Sequence, residues 1–235
     1  MTTSIALFTV ILASLLQSIS GIGLALIAAP VLVLIDPQYL PAPILSLGFT
    51  LSLLNSYKYR KHLELGETAV ALYGRIPGTF GGIILLALLP QNTLSICFAL
   101  LIISSVLLTY RRIQIEQNRR SLCIAGFFSG LMGTATSVGG PPIAMVYQNS
   151  DPYKARAQLS FYFLIGTAFS ILILVTTQNF NFHQLKLTLY LLPAVVIGFI
   201  FSLLIGSKYQ SKNLKPLISI ISLCSAVAIL IKSSL

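Results

Sequence analysis

Long apolar runs separated by short polar segments cover almost the whole chain. The runs extend over residues 4–35, 42–57, 68–89, 93–110, 121–148, 157–177, 185–206 and 214–231. A helix needs roughly 20 apolar residues to cross a bilayer, and most of these runs match one such helix. The pattern therefore predicts an all-α polytopic membrane protein.

Two of the runs, 4–35 and 121–148, are too long for one crossing. A single helix over residues 4–35 would be about 48 Å long, against a hydrocarbon core of about 30 Å. Gly21-Ile22-Gly23 interrupts the first run, and the stretch from Gly133 to Gly140 interrupts the second. Pro141-Pro142 then suits the first turn of a new helix. We therefore predict two broken helices, a feature that marks binding sites in membrane transporters.

Matching residues at a nearly constant offset indicate an internal duplication. The matched pairs are Gly21-Ile22-Gly23 with Ser137-Val138-Gly139, Pro77 with Pro193 and Gly82 with Gly198 at 116, Asp36-Pro37 with Asp151-Pro152 at 115, and Leu45-Ser46 with Leu159-Ser160 at 114. Each match alone is weak, but their common offset predicts two related membrane repeats, residues 1–117 and 118–235. The two repeats are expected to form one integrated transmembrane domain.

Composition and charge agree with a membrane protein. Of the 235 residues 56% are hydrophobic and only 9% are charged, whereas soluble domains carry about 25% charged residues. The formal net charge is +10, and the basic residues lie in short loops between the apolar runs. This is the pattern of cytoplasmic loops rather than of a nucleic-acid-binding surface. We expect a multi-pass protein of the cell membrane that does not bind nucleic acid.

The distribution of basic residues distinguishes two topologies. Eight simple spans would make the halves parallel and would place nine basic residues on one face and five on the other. If both broken segments are instead re-entrant, each half crosses three times, the repeats are inverted, and the split becomes twelve against two. Because positive charge concentrates on the cytoplasmic side, we predict inverted repeats with both termini extracytoplasmic. Eight simple spans remain the alternative.

The two breaks are candidate substrate-binding elements. In the inverted arrangement they meet near the membrane midplane, where the second half-helices begin at about Leu24 and Pro141. A helix N-terminus offers unpaired N–H groups and about half a positive charge, which together favour an anion. The predicted substrate-binding residues of the breaks are Ser20, Gly21, Gly23, Thr134, Thr136, Ser137, Gly139, Gly140 and Pro141. The alternative is that these glycines only permit close helix packing.

Arg75 is the strong charge within an apolar run, and it completes the set of candidate binding residues. An intramembrane arginine is costly and usually faces a cavity or a partner. It lies about 12 Å from the Glu67 end of its helix by helical rise. Its side chain could therefore contact an anion or, alternatively, extend to the membrane interface.

Residues for catalysis, metal binding or redox chemistry lack a convincing arrangement. All five acidic residues fall in loops or at the ends of apolar runs, and no Ser-His or carboxylate pair is placed for hydrolysis. Cys97, Cys123 and Cys224 each stand alone, without a CxxC motif or a neighbouring histidine. We therefore expect no catalytic residue, no metal and no cofactor, and a protein that is not an enzyme. The N-terminus lacks the positive region of a cleaved signal peptide and is assigned to the first membrane segment.

The second break carries a family resemblance. Ser129-Gly-Leu-Met-Gly133, Ser137-Val-Gly-Gly-Pro-Pro142 and Tyr147 resemble the sulfite exporter TauE/SafE family, small bacterial membrane permeases with two related halves. In the first half the match is Gly21-Ile22-Gly23, with Pro30 and Asp36-Pro37. The resemblance covers essentially the whole chain. It implies transport of sulfite, an organosulfonate or a related sulfur-containing anion.

These observations favour a membrane permease for a small anion that works by alternating access of its two halves. Two other functions stay open: a channel-like permease for another small solute, and a membrane subunit or scaffold without transport of its own. The expected partners are a small anionic substrate and the lipid bilayer. Assembly into a homo-oligomer is compatible with all three functions.

Overall fold

The computed structural model describes residues 2–90 and 115–205, together with the isolated residues 93, 96, 97, 99, 100, 103, 104, 223 and 227. Apart from those isolated positions, the predicted segments 93–110 and 214–231 lie outside the described residues. Within the described part of the chain all regular structure is helical. The all-α class expected from the apolar runs is therefore confirmed.

Eight α-helices follow one another along the described residues. The first half contains α1 (Thr2–Ser20), α2 (Leu24–Ile35), α3 (Ala42–Tyr59) and α4 (Leu65–Leu88). The second half contains α5 (Arg119–Thr136), α6 (Gly140–Val146), α7 (Pro152–Thr176) and α8 (Phe182–Ile205). Short 3-10 turns, Pro37–Tyr39 and Arg60–His62, precede and follow α3.

Four of the described helices, α1, α4, α7 and α8, are long and apolar enough to cross a membrane. Their outward faces carry large, exposed apolar side chains: Phe8 is 68% exposed and Leu204 is 75% exposed. A surface of this kind is stable against lipid but not against water. The helices therefore support a multi-pass membrane protein.

Both predicted breaks are present. Gly21 and Gly23 have φ angles of 90° and 146°, in the region that glycine tolerates and other residues avoid. At the second break Ser137 has a φ of 66° and ends α5, with its N–H bonded to the Gly133 carbonyl at 2.8 Å. Helix α2 begins at Leu24, as predicted, and α6 begins at Gly140, one residue before the expected start.

Helices of the two halves pack reciprocally. Helix α4 of the first half packs on α5 of the second, while α1 of the first half packs on α8 of the second. Gly82 approaches Leu131 in the first crossing, and Gly198 approaches Leu15 in the second. The two contacts are related by the offset of 116, because Gly82 corresponds to Gly198 and Leu15 corresponds to Leu131. Helices α3 and α7 also pack against each other.

Polar contacts show which turns share an end of the molecule. Lys154 Nζ lies 2.8 Å from a Glu64 carboxylate oxygen, and the Ser150 hydroxyl donates to Gln117 Oε1 at 2.8 Å. The turn after α3, the start of α5 and the turn after α6 therefore meet at one end. Asp36 approaches His183 at 3.5 Å at the other end of α3.

Candidate functional site

A cavity of ≈ 50 Å³ lies between the two breaks. Helices α1 to α7 all contribute to its wall. Its polar or backbone-exposing lining includes Gln17, Gly23, Ser52, Arg75, Gly133, Ser137, Gly139, Gly140 and Thr167. Because one water needs roughly 10–15 Å³ by this measure, the volume corresponds to about four waters. The cavity therefore suits a small ligand.

Arg75, on α4, supplies the charge of this cavity. The residue is 2% exposed, and its Nε has no hydrogen-bond partner. Nη1 makes a long contact of 3.4 Å to the Ser129 hydroxyl, and the guanidinium lies 4.9 Å from the ring centroid of Tyr162. Since the side chain is buried and lines the cavity, it does not extend to the membrane interface.

Among the described residues no carboxylate pairs with Arg75. All five acidic side chains lie in the described residues, and their ion pairs there involve Lys154 and His183 instead. A buried charge without a counterion carries a desolvation penalty of several kcal/mol. An anion in the cavity would remove much of that penalty.

Glycines make the room that Arg75 occupies. A Cβ atom on Gly166 would lie 2.1 Å from Nε of Arg75, and one on Gly133 would lie 3.5 Å from Nη2. Gly166 was not among the sequence-predicted site residues. A glycine inside an otherwise apolar helix is the only signal that could have indicated it, and that signal does not name the arginine.

The first break places the start of α2 at the cavity. The backbone N–H of Leu24 donates to Oε1 of Gln17 at 2.8 Å, so a side chain from α1 caps the half-helix. Gln17 itself lines the cavity. Sequence analysis missed this residue, although a glutamine in the last turn before a break is a detectable polar signal.

The second break is held by two hydroxyl groups. The Ser137 hydroxyl donates to the Pro41 carbonyl at 2.8 Å, which anchors the left-handed residue to the start of α3. The Ser129 hydroxyl donates to the carbonyl of Gly139 while it contacts Arg75. Ser129 therefore connects the buried charge to the backbone of the break.

The predicted residues divide into two groups. Arg75, Gly23, Ser137, Gly139 and Gly140 come together at the cavity. The other five are absent from its wall and contribute to the breaks and to packing: Ser20 bonds to the carbonyls of Leu16 and Ile22, Gly21 abuts Arg156 and Leu159, Thr134 bonds to Ser170, Thr136 bonds to Met132, and Pro141 is buried in the first turn of α6.

Comparison with known proteins places the chain in a family. No curated protein and no solved structure matches it significantly. The family described as "Sulfite exporter TauE/SafE" matches residues 6–229, which include both breaks and Arg75. The chain therefore belongs to the sulfite exporter TauE/SafE family, a family of membrane transporters of sulfite and related sulfur-containing anions.

Proposed function

We propose that the chain is a permease that binds a small sulfur oxyanion, with sulfite as the favoured substrate, in the cavity between its two breaks. The carrying observation is a buried arginine, unpaired with any carboxylate, beside the start of the half-helix α2. Organosulfonates share the same charged group. The cavity of ≈ 50 Å³ favours sulfite or a sulfonate with a small organic part.

Arg75 and backbone groups both contribute to binding of the anion. The guanidinium supplies a full positive charge and free N–H donors, which match the oxygen atoms of an oxyanion. The positive end of α2 adds a partial charge at Gly23 and Leu24. Gly139 and Gly140 bring the second backbone break to the same cavity.

Inverted repeats, residues 1–117 and 118–235, are part of this proposal. The contact of Ser150 with Gln117 supports a re-entrant α5–α6 segment, because residues just before and just after it meet. The reciprocal crossings α4–α5 and α1–α8 support a two-fold relation of the halves. In such transporters the halves rock against each other around a central site, which gives alternating access.

The substitution Arg75→Gln tests the site. It should abolish the rise in melting temperature that sulfite causes in the wild type, since a charged hydrogen-bond partner contributes about 1.5–3 kcal/mol. Without sulfite the variant should melt at or above the wild-type temperature, because an unpaired buried charge has been removed. Sulfite flux into proteoliposomes should fall about ten- to hundredfold.

Arg60→Gln is the matched control, because Arg60 also stacks on a tyrosine ring, at 4.0 Å from the Tyr57 centroid, but is exposed. It should bind sulfite normally. Gly166→Ala, which displaces the Arg75 side chain without removing it, should impair flux as Arg75→Gln does. Full sulfite stabilisation in Arg75→Gln would refute the site, and absence of sulfite flux in the wild type would refute the permease.

A further inference from the structure

A second cavity, of ≈ 300 Å³, lies at the end of the molecule where α3 finishes and α7 begins. It is about six times as large as the central cavity. Apart from Ser202, its polar lining is basic or aromatic: Lys58, Tyr59, Lys61, His62, Tyr153 and Arg156. None of the described residues that line it is acidic, so the cavity has a strongly positive wall.

The basic groups of this cavity lack carboxylate partners. Arg156 is 4% exposed, and its guanidinium lies 5.9 Å and 5.6 Å from the ring centroids of Tyr59 and Tyr153. Among the described residues, which include every acidic side chain, neither Lys58 nor Lys61 nor Arg156 forms an ion pair. Glu64, the nearest carboxylate along the chain, is held by Lys154. Positive groups gathered without counterions favour a bound anion.

The surroundings indicate where that anion comes from. The wall of the cavity includes Leu203 at the end of α8, which is 48% exposed. Tyr57, which precedes Lys58 in the chain, is 71% exposed. Lys58 Nζ lies 5.7 Å from the Phe199 ring, so its aliphatic stem follows an apolar surface. Exposed leucine beside tyrosine and lysine is the composition of a membrane interface.

We propose that this cavity binds the phosphate headgroup of an anionic phospholipid. Basic pockets between transmembrane helices are known to take lipid headgroups. A small free anion would leave most of the ≈ 300 Å³ unfilled, whereas a glycerophosphate group has the charge and the bulk that the cavity fits. The proposal does not depend on the transported substrate.

The bound headgroup would lie beside the first break. A Cβ atom on Gly21 would lie 3.7 Å from Cα and from Cγ of Arg156, so one arginine contacts the break and lines the lipid cavity. Neutralising Arg156 by a lipid phosphate removes the repulsion between it and Lys58. Lipid binding should therefore stabilise the folded transporter.

Thermal unfolding of the delipidated full-length protein tests the proposal. Phosphatidylglycerol should raise the melting temperature, whereas phosphatidylcholine or inorganic phosphate at the same phosphate concentration should not. In Lys58→Gln/Lys61→Gln the apparent affinity for phosphatidylglycerol should fall about fivefold for each lysine removed. Lys61→Gln alone changes an exposed side chain and should fold normally.

Lys186→Gln is the matched control. Lys186 is also a lysine above a phenylalanine, 4.8 Å from the Phe182 ring centroid, but it belongs to the other end of the molecule. The affinity of Lys186→Gln for phosphatidylglycerol should equal that of the wild type. Equal stabilisation by phosphatidylglycerol and phosphatidylcholine would overturn the proposal. An equal loss of affinity for phosphatidylglycerol in the double variant and in Lys186→Gln would overturn it as well. Stabilisation by inorganic phosphate alone would instead indicate a site for free anions and would also overturn it.

Discussion

At the scale of single residues, the site depends on where a Cβ atom fits. Gly139 and Gly140 are neighbours at the second break, yet their surroundings differ. A Cβ atom on Gly139 would lie 2.4 Å from the carbonyl oxygen of Ser129, whereas one on Gly140 would lie 3.6 Å from Cγ2 of Ile22. The first position has no room for a side chain, whereas a Cβ atom at the second would make ordinary van der Waals contact with Ile22 and Phe163.

Alanine at these two positions should therefore have different effects. Gly139→Ala should lower stability by about 1–3 kcal/mol, because the backbone must move to relieve the clash. Gly140→Ala should unfold at nearly the wild-type temperature. Gly140→Leu should insert into the membrane but lose sulfite flux, since its side chain would enter the cavity. Thermal unfolding measures the stability of the two alanine variants, and flux in proteoliposomes measures the effect of Gly140→Leu. Normal flux in Gly140→Leu would contradict the site.

At the scale of helices, the α4–α5 crossing is a contact of backbones. A Cβ atom on Gly78 would lie 2.0 Å from the carbonyl oxygen of Phe127, and one on Gly126 would lie 2.0 Å from that of Ala71. In a membrane, close packing of small residues replaces the hydrophobic effect as the force between helices. This crossing also carries Arg75 and Ser129, so it positions the buried charge.

Gly78→Ala should therefore separate α4 from α5. We expect a loss of about 1–3 kcal/mol or more in stability, as overpacking normally causes. Gly81→Ala is the control on the same helix, because its Cβ atom would lie 3.4 Å from a leucine methyl group rather than against backbone. Thermal unfolding in detergent compares the two variants. Equal melting temperatures would mean that the crossing is looser than the structure has it.

At the scale of the whole molecule, the arrangement of the halves decides the function. In many transporters, two halves of inverted topology give alternating access around one central site. The inverted arrangement puts the loops 58–67 and 178–186 on opposite sides of the membrane, and eight simple spans would put both on the same side. Lys61 and Lys186 are exposed residues in or beside these loops.

Thiol labelling at these two lysines distinguishes the topologies. In a background without the native cysteines, Lys61→Cys should react with a membrane-impermeant reagent only from the cytoplasmic side. Lys186→Cys should react only from outside, because basic loops stay inside. Labelling of both from one side would contradict the inverted repeats and, with them, the proposed transport cycle.

The sequence alone was sufficient for the class of protein, the two breaks and the family. Hydropathy reports these features because each depends on neighbouring residues: an apolar run must be helical to satisfy its backbone in lipid. Glycine and proline likewise interrupt a helix where they stand, as at Gly23 before Leu24. Charge counts added a predicted topology, which stays a prediction, because the orientation rule acts on each loop separately.

Only the tertiary structure decided which residues share a cavity. Arg75 could have extended to the interface, and its burial follows from Ser129 and Gly166, which lie on two other helices. Five predicted residues proved to support the breaks rather than line the cavity, because their hydroxyl groups or backbone already contact nearby residues. The basic second cavity likewise draws on α1, α3, α7 and α8. Such sites depend on packing between segments that are distant in the chain, and local sequence patterns do not predict that packing.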